Sequence, residues 1–135
     1  MKFLLAQINP VVGDLEGNAK KILYIASEAS STSADLVLTP ELSLWGYPAN
    51  DLLLKKNLIK NQYQILDQLA LDINKKYGSL SITVGIAEII NDSFFPNLYN
   101  SIALLEHGEW EIIARKIILP TYEAVSYTHL TLPTT

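Results

Sequence analysis

The segment Asp35-Leu-Val-Leu-Thr39 is a short apolar run closed by Pro40, and it is the second strand of the unit on which the predicted fold depends. Phe3 to Ile8 is a similar run, closed by Asn9-Pro10. Apolar runs bounded by turn residues are typical of buried strands. Between the two runs, a helix is predicted from Asn18, because apolar residues then recur at helical spacing, namely Ile22, Ile25, Ala26 and Ala29. This strand–helix–strand order predicts a right-handed βαβ unit in a largely parallel sheet, with a polar loop at Ser30 to Ser33.

Downstream of this unit, the pattern predicts one more helix and three more strands. Helical spacing extends from about Lys55 to Lys76, and Tyr77-Gly78 ends it. Ser81 to Glu88 is predicted as the next strand. Leu98 to Leu105 and Trp110 to Lys116 are predicted to pair as a hairpin around residues 106–109. The sequence therefore predicts an α/β fold.

Composition narrows the class of protein. The chain has 135 residues, enough for one ordinary domain, with 49% hydrophobic and 18% charged residues. A net charge of −4 gives no basic surface, so we expect no nucleic acid partner. No apolar run reaches the ~18–20 residues of a membrane helix. We therefore expect no membrane association and a cytoplasmic location.

The absence of cysteine limits the possible chemistry. With no cysteine in the sequence, disulfides, thiolate metal sites and a cysteine nucleophile are excluded within this chain. The sequence also has no GxGxxG, P-loop or HExxH motif and no metal-ligand spacing. We therefore predict no cofactor and no metal for these residues.

Glu41 follows a predicted strand and a proline, at the carboxyl end of the predicted parallel sheet. Ligands bind at that edge in open α/β sheets, and an acid behind an apolar strand is well placed to act as a base. The alternative is that Glu41 caps a short helical turn, because acids favour helix N-termini. On the local sequence alone, the cap is favoured by about two to one.

Lys116 ends the second strand of the predicted hairpin. The alternating residues Ile112, Ala114, Lys116 and Ile118 would make one face apolar except at Lys116. A lysine turned inward there needs a carboxylate or a substrate oxygen as partner. In the other register Lys116 faces water and Arg115 points inward. Periodicity does not choose between the two registers.

Four segments resemble the nitrilase superfamily, and within it the amino-terminal glutaminase domains of glutamine-dependent NAD synthetases. The resemblance covers residues 1 to about 125. The segments are Ala6-Gln-Ile-Asn-Pro-Val-Val-Gly-Asp14, Thr39-Pro-Glu-Leu-Ser-Leu-Trp-Gly-Tyr-Pro48, Asn50-Asp-Leu-Leu-Leu54 and Arg115-Lys-Ile-Ile-Leu-Pro-Thr-Tyr122. Pro40-Glu-Leu42 alone would indicate only the superfamily, whereas the other motifs favour the synthetase branch.

The resemblance implies the amino-terminal part of an α-β-β-α sandwich with a Glu-Lys-Cys triad. Glu41 matches the general base, Lys116 matches the cation that stabilises the oxyanion, and Tyr122 matches a tyrosine that contacts glutamine. The cysteine nucleophile of the family comes beyond the last residue here. We therefore expect that the chain stops before its active site is complete.

The resemblance also implies a longer parent protein. Glutamine would be hydrolysed in the front domain, and ammonia would pass to a synthetase domain that amidates deamido-NAD with ATP and magnesium. The parent is expected to be a homo-oligomer. Residues 126–135 depart from the family pattern and resemble translated sequencing-adapter read-through, so we expect a non-native tail after residue 125.

Two other functions stay open at this point. One is a stand-alone nitrilase-like amidase that acts on a carbamoyl or ω-amide substrate. A Ser-Gly-Gly-x-Asp-Ser type motif further downstream in the gene would exclude it. The other is a non-catalytic interaction module, which a genuine stop codon after Thr135 in genomic DNA would favour.

Overall fold

The computed structural model of the chain describes residues 1–46, 56–90 and 97–118. In chain order the elements are β1 (Phe3–Leu5), α1 (Leu15–Ser31), β2 (Leu36–Leu38), α2 (Lys56–Tyr77), β3 (Ser81–Ile90), β4 (Asn97–Glu106) and β5 (Glu109–Ile118). All seven predicted elements are present. The first strand is shorter than predicted, ending at Leu5 rather than at Ile8.

The five strands form one mixed sheet in the order β1-β2-β3-β4-β5. β1, β2 and β3 are parallel neighbours, as the βαβ pattern predicts, with Val37 opposite both Leu4 and Ile82. β4 and β5 are antiparallel to their neighbours. The sheet is thus parallel in only half of its pairings rather than largely parallel. A two-residue turn at His107-Gly108, both at positive φ, joins β4 directly to β5 and makes that pairing antiparallel.

The first helix is longer than its periodicity predicts. It begins at Leu15, three residues before Asn18, because the Asp14 carboxylate accepts a hydrogen bond from the Gly17 N–H at 3.0 Å and caps the helix. It continues through Ser30 and Ser31, for which the sequence predicts a loop. The Thr32 hydroxyl then donates to the Ala29 carbonyl at 3.0 Å, which satisfies one of the last free carbonyls.

Both helices cover the same face of the sheet. Two successive right-handed crossovers in one direction place α1 and α2 on one side. The side chains that meet there are almost fully buried; they include Ile22, Ala26, Leu66 and Ile73 from the helices and Val37, Ile82, Val84 and Leu105 from the strands. This layer is the hydrophobic core of the described residues.

The opposite face of the sheet carries exposed apolar side chains. Leu5 is 74% exposed, Ile102 is 40% exposed and Leu38 is 36% exposed. The described residues thus form one helix layer on one sheet, which is half of an α-β-β-α sandwich. No helix among them is long and apolar enough to cross a membrane.

Candidate active site

The turn after β2 carries Glu41, and it lies directly on β3. A Cβ atom at Gly85 would stand 2.3 Å from the Leu42 nitrogen and 2.6 Å from the Pro40 carbonyl oxygen, so only glycine permits this approach. The Gly85 N–H donates to the Ser43 hydroxyl at 2.9 Å, and the Leu44 N–H donates to the Gly85 carbonyl at 3.1 Å. These bonds fix the turn, and Glu41 with it, against the sheet.

Side chains at the start of the turn add further bonds to the sheet. The Thr39 hydroxyl donates to the Thr83 carbonyl at 2.6 Å and lies 2.8 Å from the Ser43 hydroxyl. Thr39 and Ser43 therefore connect the end of β2, the turn and β3. Because these residues are buried or half-buried, the bonds form where water competes little.

Asn18 on α1 holds the end of the same turn. Its side chain is 1% exposed, and its Nδ2 donates to the carbonyls of Leu44 at 2.9 Å and Val11 at 2.8 Å. Its Oδ1 accepts from the Val11 N–H at 2.8 Å. A buried amide with three satisfied bonds thus ties the loop before α1 to the Glu41 turn.

Neighbouring residues of β5 point to opposite faces of the sheet. Arg115 lies on the helix side, where its Nε donates to the Glu88 carboxylate at 2.6 Å and its Nη2 donates to the second oxygen at 3.2 Å. The Ser101 hydroxyl donates to the same carboxylate at 2.7 Å. The hydrogen bonds to Glu88 raise the pKa of the Arg115 guanidinium above its usual value.

Lys116 lies on the open face of the sheet and is half exposed, with 38% of its side chain accessible. The predicted alternation is wrong at Ile112. A β-bulge at Ile102/Ala103 places Ile112 opposite the buried Ala103, whereas Ala114 lies opposite Ile102 on the open face. The bulge shifts the register by one residue and brings Lys116 opposite Asn100.

Glu41 and Lys116 meet although 75 positions separate them in the chain. Lys116 Nζ lies 3.5 Å from Glu41 Oε1, and Asn100 Nδ2 donates to the same oxygen. The two charged residues line a small cavity of about 110 Å³ on the open face. Its lining also includes Thr39, Pro40, Gly85, Asn100, Ile102 and Ala114.

The contacts of Glu41 show whether it caps a helical turn, which the local sequence left open. Residues 41–45 form a turn rather than a helix, and the carboxylate accepts from Asn100 and Lys116. Glu41 therefore does not act as a helix cap. The ion pair is half exposed on both sides, and such pairs contribute about 0–1 kcal/mol to stability. The Glu41–Lys116 pair therefore contributes little to the stability of the fold.

The other predicted site residue, Tyr122, lies outside the described residues. Sequence reasoning missed Asn100. The only available signal was the hairpin, and an unbulged hairpin around His107-Gly108 would have paired Asn100 with Arg115 instead of Lys116. Trp45, in the same turn as Glu41, is fully buried and donates to Gln62. Among the described residues, no group of three or more histidine or acidic side chains could hold a metal ion.

Comparison with known proteins identifies the family of this chain. The model of the carbon-nitrogen hydrolase family matches residues 5–134. The chain belongs to the carbon-nitrogen hydrolase family. The matched range includes most of the segment from Ser126, which lies outside the described residues, so its foreign origin stays a prediction.

The curated proteins that are similar to this chain include several glutamine-dependent NAD(+) synthetases. The one from Synechocystis is 38% identical over 88% of this chain, and the one from Thermotoga maritima is 35% identical over 90%. The chain spans only 21% and 20% of their lengths.

Solved structures give the same picture of the fold. The glutamine-dependent NAD+ synthetase from Acinetobacter baumannii aligns with 90% of this chain at a TM-score of 0.74 and 32% identity. The alignment covers 22% of that chain. An amidase from Nesterenkonia, at 21% identity and a TM-score of 0.67, shares the fold.

Proposed function

We propose that this chain is the amino-terminal part of a glutamine-hydrolysing domain, and that its parent is a glutamine-dependent NAD synthetase. The observation that carries the proposal is the meeting of Glu41 and Lys116 at one cavity. They come from a turn and a strand that are far apart in the sequence, at positions that match the base and the cation of the family. The similarity to NAD synthetases of several bacteria supports the choice of parent.

In this proposal Glu41 acts as general base and general acid. Its carboxylate takes the proton of a cysteine thiol supplied by the rest of the protein, and the thiolate attacks the side-chain amide carbon of glutamine. As the C–N bond breaks, Glu41 returns the proton to the leaving nitrogen, which departs as ammonia. Water, deprotonated by Glu41, then cleaves the glutamyl thioester, and glutamate leaves as the thiol is restored.

Lys116 stabilises the negative charge that develops on the amide oxygen as the nucleophile attacks. Its ammonium stands at the cavity beside the base, so it can face the carbonyl that the nucleophile attacks. A fixed positive charge acts most strongly when water is excluded, because the effective dielectric is then low. Tyr122 is assigned the remaining role of contacting the glutamine substrate.

The partners of the parent follow from the same proposal. Glutamine binds to this domain, while ATP with magnesium and deamido-NAD bind to a synthetase domain that receives the ammonia. We place the parent in the cytoplasm and expect it to form a homo-oligomer, without nucleic acid or membrane partners.

The proposal is tested by Glu41→Gln in the full-length protein. Because the base serves only amide hydrolysis, glutamine-dependent NAD formation should fall by about 10²–10⁴-fold. Formation from free ammonia should stay near wild type. Both rates are measured as NAD produced per enzyme per second.

Glu16→Gln is the matched control, since Glu16 is an exposed acid on α1. It should leave both rates unchanged. Retention of glutamine-dependent activity by Glu41→Gln would refute the assignment, and an equal loss of both activities would show that Glu41 has no role specific to hydrolysis.

A further inference from the structure

We infer that Asn100 is a positioning residue for Glu41: it anchors one carboxylate oxygen and so leaves the other to carry the proton in glutamine hydrolysis. The inference rests on the proposed function. Its starting point is geometric, because Asn100 Nδ2 and Lys116 Nζ both approach Oε1 of Glu41. Both hydrogen bonds that the described residues make to this carboxylate therefore go to the same oxygen.

The ion pair with Lys116 cannot by itself fix the carboxylate. Its 3.5 Å separation is long for a charge-assisted hydrogen bond, and both side chains are more than a third exposed. Lysine is also a flexible point charge without a preferred direction. An amide N–H that donates along a fixed line gives the carboxylate an orientation that the ammonium does not.

The sheet fixes the position of Asn100. It pairs with Ala87 on β3 and with Lys116 on β5, in one cross-strand row of the antiparallel ladder. The next row is Gly85, Ile102 and Ala114, and Gly85 is where the Glu41 turn rests. Asn100 therefore stands beside the point at which Glu41 reaches the sheet, and its short side chain can move little.

The side-chain amide of Asn100 has a second property that suits a position beside Glu41. It is neutral, so it orients the carboxylate without adding a second positive charge beside that of Lys116. With Oε1 anchored by Asn100, Oε2 is the oxygen that we assign to proton transfer. Asn100 does not touch the substrate in this assignment.

The inference is tested in the full-length protein with Asn100→Leu and Asn100→Asp. Both remove the N–H donor at nearly constant size, and Asp also places a negative charge beside Glu41. We expect kcat for glutamine hydrolysis to fall about 10–100-fold with Leu, because a misplaced catalytic group costs up to about 10²-fold. KM for glutamine should change by less than about threefold.

The order of the two variants separates positioning from packing. With Asp the repulsion between the two carboxylates makes the pair keep a proton up to higher pH, so the deprotonated base is scarcer at neutral pH. There kcat should be lower than with Leu, and the activity maximum should move to higher pH. If Asn100 only filled space, the closely isosteric Asp would be the milder change. Asn57→Leu, an exposed asparagine on α2, is the matched control and should behave as wild type.

Three outcomes would overturn the inference. They are wild-type kcat in both variants, higher activity with Asp than with Leu, and loss of the cooperatively folded domain in both. The activity of Glu41→Gln, measured in parallel, shows which of the two proposals has failed. If Glu41→Gln retains glutamine-dependent activity, the proposed function fails. If Glu41→Gln is inactive while the Asn100 variants are not, only the inference about Asn100 fails.

Discussion

Lys116 and Arg115 are adjacent cations that the pleat of β5 directs to opposite faces of the sheet and to different partners. Arg115 forms a two-bond contact with Glu88 on the helix side, which suits a planar guanidinium. Lys116 stands on the open face at a single long contact with Glu41. In the proposed function, the compact ammonium leaves room at the cavity for a substrate oxygen, whereas a guanidinium would extend across it.

We therefore predict that Lys116→Arg is poorly tolerated although charge is conserved. Arginine would form a forked pair with Glu41 and place its charge away from the amide oxygen. Loss of one oxyanion donor costs about 10²–10³-fold in kcat. The measurement is kcat for glutamine hydrolysis by the full-length protein.

Lys60→Arg, on the exposed side of α2, serves as the control and should leave kcat unchanged. Activity of Lys116→Arg within about threefold of wild type would mean that the position needs only a positive charge. The assignment of Lys116 as a geometrically matched oxyanion donor would then be wrong.

At the scale of elements, the close approach of the Glu41 turn to β3 depends on Gly85. In Gly85→Ala the new methyl group would overlap backbone atoms of Leu42 and Pro40, and backbone cannot move aside as a flexible side chain can. Overpacking of this kind costs about 1–3 kcal/mol. The turn should lift from the sheet and displace Glu41, so glutamine hydrolysis should fall more than stability alone would explain.

Two quantities are measured in the full-length protein: kcat for glutamine hydrolysis, and the temperature at which this activity is irreversibly lost. Gly78→Ala is the comparison variant, since its Cβ would meet one atom, the Asn74 carbonyl oxygen, at 3.2 Å. It should cost less in both measurements. Equal behaviour of the two variants would show that the approach at Gly85 does not position Glu41.

The same elements show what the sequence can predict. Helix α2 and the turn at His107-Gly108 are predicted closely because periodicity and turn residues act locally. The predicted start of α1 is wrong because the Asp14 cap, not the apolar stripe, sets it. The meeting of Asn100 with Lys116 is not predictable, because it depends on a bulge whose single extra residue leaves no mark in the hydrophobic pattern.

For the whole molecule, the open face of the sheet predicts the behaviour of residues 1–135 expressed alone. Leu5, Leu38 and Ile102 present apolar surface to water there. Leaving about 400 Å² of such surface exposed forgoes roughly 10 kcal/mol, which is comparable with the about 5–15 kcal/mol that keeps a domain folded. We expect aggregation, or helical signal without a cooperative thermal transition, and no glutamine hydrolysis, because the chain has no cysteine.

Size exclusion, thermal melting and ammonia release test this expectation. A single sharp monomer peak with a cooperative melt would contradict the expected instability. Ammonia release from glutamine above that of a Glu41→Ala version of the same chain would contradict the requirement for an external nucleophile.

The central claim is that Glu41 and Lys116 act together on one substrate amide, and a double-mutant cycle tests it most directly. The full-length protein is compared with Glu41→Gln, Lys116→Met and the double variant by kcat/KM for glutamine hydrolysis. Groups that serve the same step are strongly non-additive, so we predict that the double variant is at most about tenfold slower than the slower single variant. Single-variant losses that simply multiply, or a single variant with wild-type kcat/KM, would contradict the claim.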